Sequence, residues 1–180
     1  MRKVLYILGQ LSDEDAEWLV HNGQQRRVDT GETLITQGRP ITALFIVLDG
    51  RMRVDIERLG DMGTLGAGEM LGEISFVNQS PPTASVTAVD PTRVLEIPRS
   101  ALESKLAADQ GFASRFYRAL SVFLADRLQN TVLRMGYGPH QSNLESDTLQ
   151  ENELDDTLLD GLSQAGERFQ RMLHMLSEPR

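Results

Sequence analysis

Cysteine is absent from the 180 residues, which removes disulfides, thiolate nucleophiles and cysteine-ligated metal sites together. The expected setting is a reducing compartment, the cytoplasm by default. Lysine is almost absent, with only Lys3 and Lys105. Aromatic residues make up 6% of the chain and include a single tryptophan, Trp18. No apolar run approaches the roughly 20 residues that span a bilayer, so no membrane insertion is expected. The run Val4 to Leu8 behind Arg2-Lys3 is too short for a signal-peptide core and leads directly into Ser12-Asp13-Glu14-Asp15.

Catalytic and metal motifs are missing as well. His21, His140 and His174 are scattered singly, with no His-x-His or His-Glu-x-x-His spacing, so no metal site is expected. There is no Walker lysine and no Gly-x-Ser-x-Gly elbow. Gly66-x-Gly68-x-x-x-Gly72 misses the dinucleotide spacing by one residue and sits within a β-strand pattern. Glu69 and Glu73 as a catalytic carboxylate pair would need a substrate cleft that nothing else in the sequence indicates. The chain reads as a non-enzymatic protein without a cofactor of its own.

An apolar content of 40% suffices for a packed core. The net charge of −8 is uneven, with 15 basic and 17 acidic side chains in residues 1–135 against 3 and 9 in residues 136–180. An acidic tail and two lysines argue against a nucleic-acid partner, because that binding depends on cations neutralising phosphates. The small basic clusters, Arg26-Arg27 and Arg115 with Arg118, read first as solvated faces. Arg115, Arg118, Arg127 and Arg134 could instead pair across a dimer or with the acidic tail.

Along the chain, Ser12 and Asp15 have capping-box spacing and open a short helix over 13–21. From Gln25 to Ile97, apolar and β-branched runs alternate with turn residues at Asp29-Thr30-Gly31, Gln37-Gly38-Arg39-Pro40, Asp49-Gly50, Leu59-Gly60-Asp61 and Asp90-Pro91. Such spacing predicts an all-β sandwich or barrel. Ser100 and Glu103 predict a second capping box, opening a helix through about Ala108. From Phe112 to about Met135, Phe116, Leu120, Phe123, Leu124, Leu128 and Val132 form an apolar stripe over more than five turns. That stripe packs either on its own domain or on a second copy, and a helix of about 36 Å overhangs so small a sandwich, which favours a homodimer. Residues 139–156 are acidic and aperiodic, as in a flexible linker. Leu158, Leu162, Ala165, Phe169, Met172, Leu173 and Leu176 then mark an amphipathic helix, which packs on its own domain or on a partner protein docked through residues 139–180.

The most specific segment is Gly68-Glu69-Met70-Leu71-Gly72-Glu73-Ile74-Ser75-Phe76 followed by Pro81-Pro82-Thr83-Ala84-Ser85-Val86. Glycines here allow sharp turns and close approach of backbone N–H groups to an anion. The segment resembles the phosphate-binding cassette of cyclic nucleotide-binding domains, the family of catabolite-activator-type regulators, protein kinase A regulatory subunits and cyclic nucleotide-gated channels. Gly72, Glu73, Ala84 and Val86 match its pattern, while the position of its arginine falls on Pro82. Gly31-Glu32-x-Leu34-Ile35-x-x-Gly38 and Ala43-Leu44-Phe45-Ile46-Val47-Leu48-Asp49-Gly50-x-Met52-x-Val54 match early strands and turns, so the resemblance covers about residues 10 to 135. Arg2-Lys3-Val4-Leu5-Tyr6-Ile7-Leu8 and the run Gly111 to Leu120 are similar to a narrower group, stand-alone cyanobacterial proteins of this family associated with bacteriocin-type transport.

The resemblance implies a mainly β fold, a jelly roll with flanking helices and a long C-terminal helix. Residues 1–110 would form the β-roll with its N-terminal helix, 111–136 the dimerisation and lid helix, 137–156 the acidic linker and 157–177 the last helix. The 45 residues after 135 are too few, and too acidic, for the helix-turn-helix that follows in the transcription-factor branch. It also implies that Gly72, Glu73, Ile74 and Ser75 cradle the ribose and phosphate of cyclic AMP or cyclic GMP. Thr83, Ala84 and Ser85 would complete the nest. In the family the glutamate accepts from the ribose 2′-hydroxyl and the arginine pairs with the cyclic phosphate. Pro82 supplies neither charge nor N–H, so binding would be weak or altered in specificity unless another arginine such as Arg51 or Arg53 reaches in. The alternative is a ligand-free dimeric adaptor.

Overall fold

The structure is a computed structural model that describes residues 8–134 and 156–177, without the side chains of 126, 127, 129–134 and 156–163. Two antiparallel four-stranded sheets face each other. The first has the order β1 (Gln24–Val28), β8 (Thr92–Pro98), β3 (Ala43–Asp49), β6 (Met70–Leu71). The second runs β2 (Thr33–Ile35), β7 (Ser85–Ala88), β4 (Met52–Ile56), β5 (Gly60–Leu65). This is the expected jelly-roll architecture with flanking helices.

β3 shows why the sequence folds in layers. Ala43-Leu44-Phe45-Ile46-Val47-Leu48 is apolar at six consecutive positions and buried at all six. Side chains on a strand alternate in direction, so a strand buried on both faces reads as a continuous apolar run. Ala43, Phe45 and Val47 join Val28, Ile35, Met52, Leu71, Val86, Ala88 and Val94 in one core. Leu44, Ile46 and Leu48 point the other way, into a second core shared with the helices. Each such side chain fully buried contributes about 1.5–3 kcal/mol.

The helices are α1 (Asp13–Asn22), α2 (Glu73–Asn78), α3 (Arg99–Ala108), α4 (Gln110–Arg134) and α5 (Asp156–Ser177). α1 starts on the expected capping box, with the Asp15 N–H donating to Ser12 Oγ (3.2 Å) and the Ser12 N–H to Asp15 Oδ2 (2.8 Å). The capping box expected at Ser100 and Glu103 does not form. α3 begins two residues earlier behind Pro98, Arg99 Nε donates to the Glu103 carboxylate (2.8 Å), and the Ser100 carbonyl accepts from Ser104 Oγ. An i, i+4 ion pair has displaced the cap.

The apolar stripe of α4 lies on its own domain over its first half. Phe112, Phe116, Ala119, Leu120 and Phe123 are buried with Leu8, Leu19, Phe76 and Leu102. Leu128, farther along the stripe, is 65% exposed. Arg115, read first as part of a solvated face, instead holds Asp15 of α1 through its guanidinium in two hydrogen bonds of 2.6 and 2.9 Å. Arg26 pairs with Glu32 and Glu96, and Arg27 with Asp29, as on an ordinary solvated face.

The last helix also docks on its own chain. Ala165 and Met172 are fully buried in the helical core, and Arg168 and Arg171 both grip Asp13 of α1. Self-packing, one of the two options for this helix, is the one observed for residues 164–177. The N-terminal run Arg2 to Ile7, Met135, His140, the linker residues 137–155 and the side chains of Val132, Leu158 and Leu162 lie outside the described residues. Among the described residues, no helix is long and apolar enough to cross a membrane.

Asp15 gives this scaffold a pH dependence. Burial raises its carboxyl, but hydrogen bonds from Arg115 and from the Ser12 backbone and hydroxyl outweigh that and leave it below the usual carboxylate range. A depressed folded-state value means that the contribution is complete above the unfolded value near pH 3.9 and is lost as pH falls through the folded value. Asp15→Asn is therefore expected to cost about 1–2 kcal/mol at pH 7, modest because Arg115 is part-exposed and screened by water. That difference should shrink below pH 4. Urea midpoints at pH 7, 4 and 3 check it, and a gap that stays constant with pH would contradict the assignment.

Candidate functional site: the cassette between the two sheets

The cassette is built from β6 outward. Met70 and Leu71 pair with Ile46 and Phe45, fixing the end of the loop against the central strand β3. Before β6, the Gly68 N–H donates to the Val47 carbonyl and the Val47 N–H to the Glu69 carbonyl. The chain then turns at Gly72, whose φ of +87° lies in the left-handed region that only glycine adopts without cost. A Cβ there would sit 2.6 Å from Ile41 Cδ1 and 3.4 Å from the Ala43 carbonyl oxygen. Gly72 is thus required for its conformation, whereas the Ile41 side chain could shift to admit a Cβ.

Gly72 leads directly into α2, whose first residue is Glu73. The Glu73 side chain is 2% exposed, Ser75 is buried beside it, and Ile74 between them is exposed. Of the expected ribose and phosphate set, Glu73 and Ser75 are thus buried, Gly72 is half-buried and Ile74 is exposed. Phe76 closes the turn, its ring 6.0 Å from that of Phe116 on α4 in an edge-to-face arrangement.

The second half of the cassette is anchored by the turn after β2. The Gly38 N–H donates to the Pro82 carbonyl (2.8 Å), and the Gln37 N–H donates to Ser85 Oγ (3.0 Å). Gln37 Oε1 accepts from the Glu57 N–H (2.8 Å), which ties in the β4–β5 turn. Ser85 Oγ keeps its own hydrogen to donate. Thr83 is exposed, Ala84 half-buried and Pro82 buried.

The arginines expected as substitutes are engaged elsewhere. Arg51 Nε donates to Asp90 Oδ2 (2.7 Å) and Arg53 Nε to Asp55 Oδ2 (2.9 Å). Arg53 alternates with Met52 and Val54, which line the core between the sheets, so it projects from the outer face of β4. Sequence reasoning passed over Arg99. Its guanidinium lies 5.3 Å from the Phe76 ring centroid and donates to the Ser75 (3.3 Å) and Phe76 (3.4 Å) carbonyls. Its i, i+4 relation to Glu103 was the only local signal, because the contacts to α2 span more than 20 residues.

The profile of the cyclic nucleotide-binding domain matches residues 25–109, which spans both halves of this cassette and the sheets that hold them. Residues 25–109 belong to the cyclic nucleotide-binding domain family. The structure of a cyclic nucleotide-binding domain from Methylobacillus flagellatus KT superposes with a TM-score of 0.67 at 25% identity, covering 78% of this chain and 85% of that one. Lysophospholipase nte1 of Neosartorya fischeri is 27% identical over 124 residues, 67% of this chain and 8% of that protein. A cAMP-activated global transcriptional regulator from Mycobacterium tuberculosis is 28% identical over 106 residues, 56% of this chain and 45% of that protein. The chain thus spans less than half the length of these curated relatives.

Proposed function

We propose that the chain is a non-enzymatic regulatory module whose cyclic nucleotide-binding domain senses a cyclic nucleotide, or a related small anion, weakly or with altered specificity. The observation that carries this reading is Glu73. A carboxylate buried at the start of α2, directly after a glycine in the left-handed region, supports the reading, because a carboxylate at that place in the cassette can accept from a ligand hydroxyl. Ser75, Ser85 and Thr83 are the further polar side chains of the cassette. Pro82 withholds the cation that would neutralise a phosphate, which supports weak binding. Cyclic AMP is the first ligand to try, since a relative that shares this domain is a cAMP-activated regulator.

Binding transmits a signal only if the ligand prefers one arrangement of the protein over another. The ring contact between Phe76 and Phe116 gives α2 a direct mechanical link to α4. Isothermal titration with cyclic AMP and cyclic GMP tests the reading, with affinity expected in the micromolar to millimolar range. Glu73→Ala is expected to weaken it by at least about tenfold, the scale of one lost hydrogen bond to a charged group. Unchanged affinity in that variant would remove Glu73 from the site.

Pro82 also supports a second reading, a ligand-free dimeric adaptor that docks a protein, such as part of a transport system, through residues 139–180. The absence of any heat up to millimolar nucleotide would favour it. The docking of α5 on α1 then sets a condition, because a partner binding this helix has to compete with Asp13.

A further inference from the structure

One carboxylate anchors α5. Arg168 Nε donates to Asp13 Oδ1 (2.6 Å), Arg171 Nη1 donates to Asp13 Oδ2 (2.7 Å), and Arg168 Nη1 reaches the Leu8 carbonyl (2.9 Å). Arg168 and Arg171 are three residues apart and so lie on one edge of the helix. Beside them runs a dry stripe. Ala165 and Met172 are fully buried with Leu8, Leu11, Ala16, Leu19 and Val20, and Phe169, Leu173 and Leu176 pack partly against the same core. α1 thus presents an apolar face edged by an acidic first turn, and α5 presents its complement in shape and charge.

Nothing in this fit depends on the two helices belonging to the same chain. α4 ends at Arg134 and α5 begins at Asp156, leaving 21 residues between them. That length of chain reaches up to about 70 Å, against a radius of gyration on the order of 15 Å for a compact chain of this size. A flexible connection of that length would set the effective local concentration of α5 at roughly the millimolar range.

We propose that the face of α1 around Asp13 is an exchangeable docking site for the α5 helix, filled from the same chain when copies are dilute and from a second copy when they are concentrated. Exchange of an identical element between protomers makes a dimer with no new contact chemistry. It requires neither a nucleotide nor the α4 stripe, so it stands independently of the function proposed above.

The test uses the full chain carrying R168K, which keeps the positive charge and adds an amine that a carbodiimide can join to the Asp13 carboxylate. Equal amounts of ordinary and nitrogen-15 protein are mixed, unfolded and refolded together at about 10 µM and about 1 mM, then cross-linked and read by mass spectrometry. Links within one chain are expected to dominate at the lower concentration. Links between light and heavy chains are expected to rise at least about fivefold in share at the higher one, and D13N should abolish both. R171K repeats the measurement with the second arginine. Exclusively within-chain links at both concentrations, or no D13N-sensitive link at all, would overturn the proposal. As a second readout, a fluorescent peptide of residues 156–177 should bind the R168E,R171E protein at least about tenfold more tightly than wild type, whose site is occupied. Equal binding to the two would also overturn it.

Discussion

Pro82→Arg is expected to raise the affinity for cyclic nucleotide by about 10- to 150-fold. The figure follows from a charge-assisted hydrogen bond contributing about 1.5–3 kcal/mol, with each 1.4 kcal/mol equal to a factor of about ten. The surrounding loop is already in place for the test. Its backbone is held by the Gly38 N–H on the Pro82 carbonyl and by the Gln37 N–H on Ser85 Oγ, and neither bond involves the side chain of residue 82. The substitution changes the group presented without asking the loop to find a new path.

The same substitution should lower the stability of the ligand-free protein, because residue 82 is buried and a guanidinium there has no anion to pair with. Nucleotide then stabilises by RT ln(1 + [L]/Kd). The thermal shift at saturating cyclic AMP should be larger in the variant than in wild type even though its starting Tm is lower. Pro82→Ala separates charge from loss of the proline ring and is expected to leave affinity within about threefold of wild type. If Pro82→Arg folds and binds no better, the cassette is not a phosphate site, and the adaptor reading gains.

What was legible in the sequence was local. Gly31, Gly38, Gly50 and Gly60 sit in predicted turns, and all four have positive φ. The capping box of Ser12 and Asp15 and the start of the strands, read at Gln25 and observed at Gln24, needed only a few neighbouring residues. The cassette was legible as a motif because Gly72 and Glu73 are adjacent. What was not legible were long-range pairings. Asp15 with Arg115 spans 100 residues and Asp13 with Arg168 spans 155, and no spacing rule connects such positions. The amphipathic stripes of α4 and α5 announced helices but not their destinations, since an apolar face looks the same whether it covers its own domain or a partner. The two-residue strand β6 carries too few positions for periodicity and exists because β3 offers it a free edge.

Phe116→Ala is expected to be the most destabilising single change in the helical core, at about 3–5 kcal/mol. Phe116 has no exposed surface and touches three aromatic rings: Phe112 (5.6 Å, stacked), Phe76 (6.0 Å, edge-on) and Tyr117 (6.0 Å, edge-on). Phe112 in turn meets Trp18 of α1 at 5.5 Å. Removing the central ring leaves a void among aromatic neighbours that have little freedom to close it, and a loss of this size is a large part of the 5–15 kcal/mol that holds a typical domain together. Denaturant unfolding followed by the fluorescence of Trp18, the only tryptophan, measures it directly. Phe116→Leu keeps most of the volume and should recover at least half of the loss. The pair Phe76→Ala and Phe116→Ala then asks whether the cassette helix is coupled to α4, because residues in contact give a non-additive sum of about 0.5 kcal/mol or more. Strict additivity would mean that movement of α2 does not reach α4 through these rings, and a signal from the cassette would have to travel by way of Arg99 and α3.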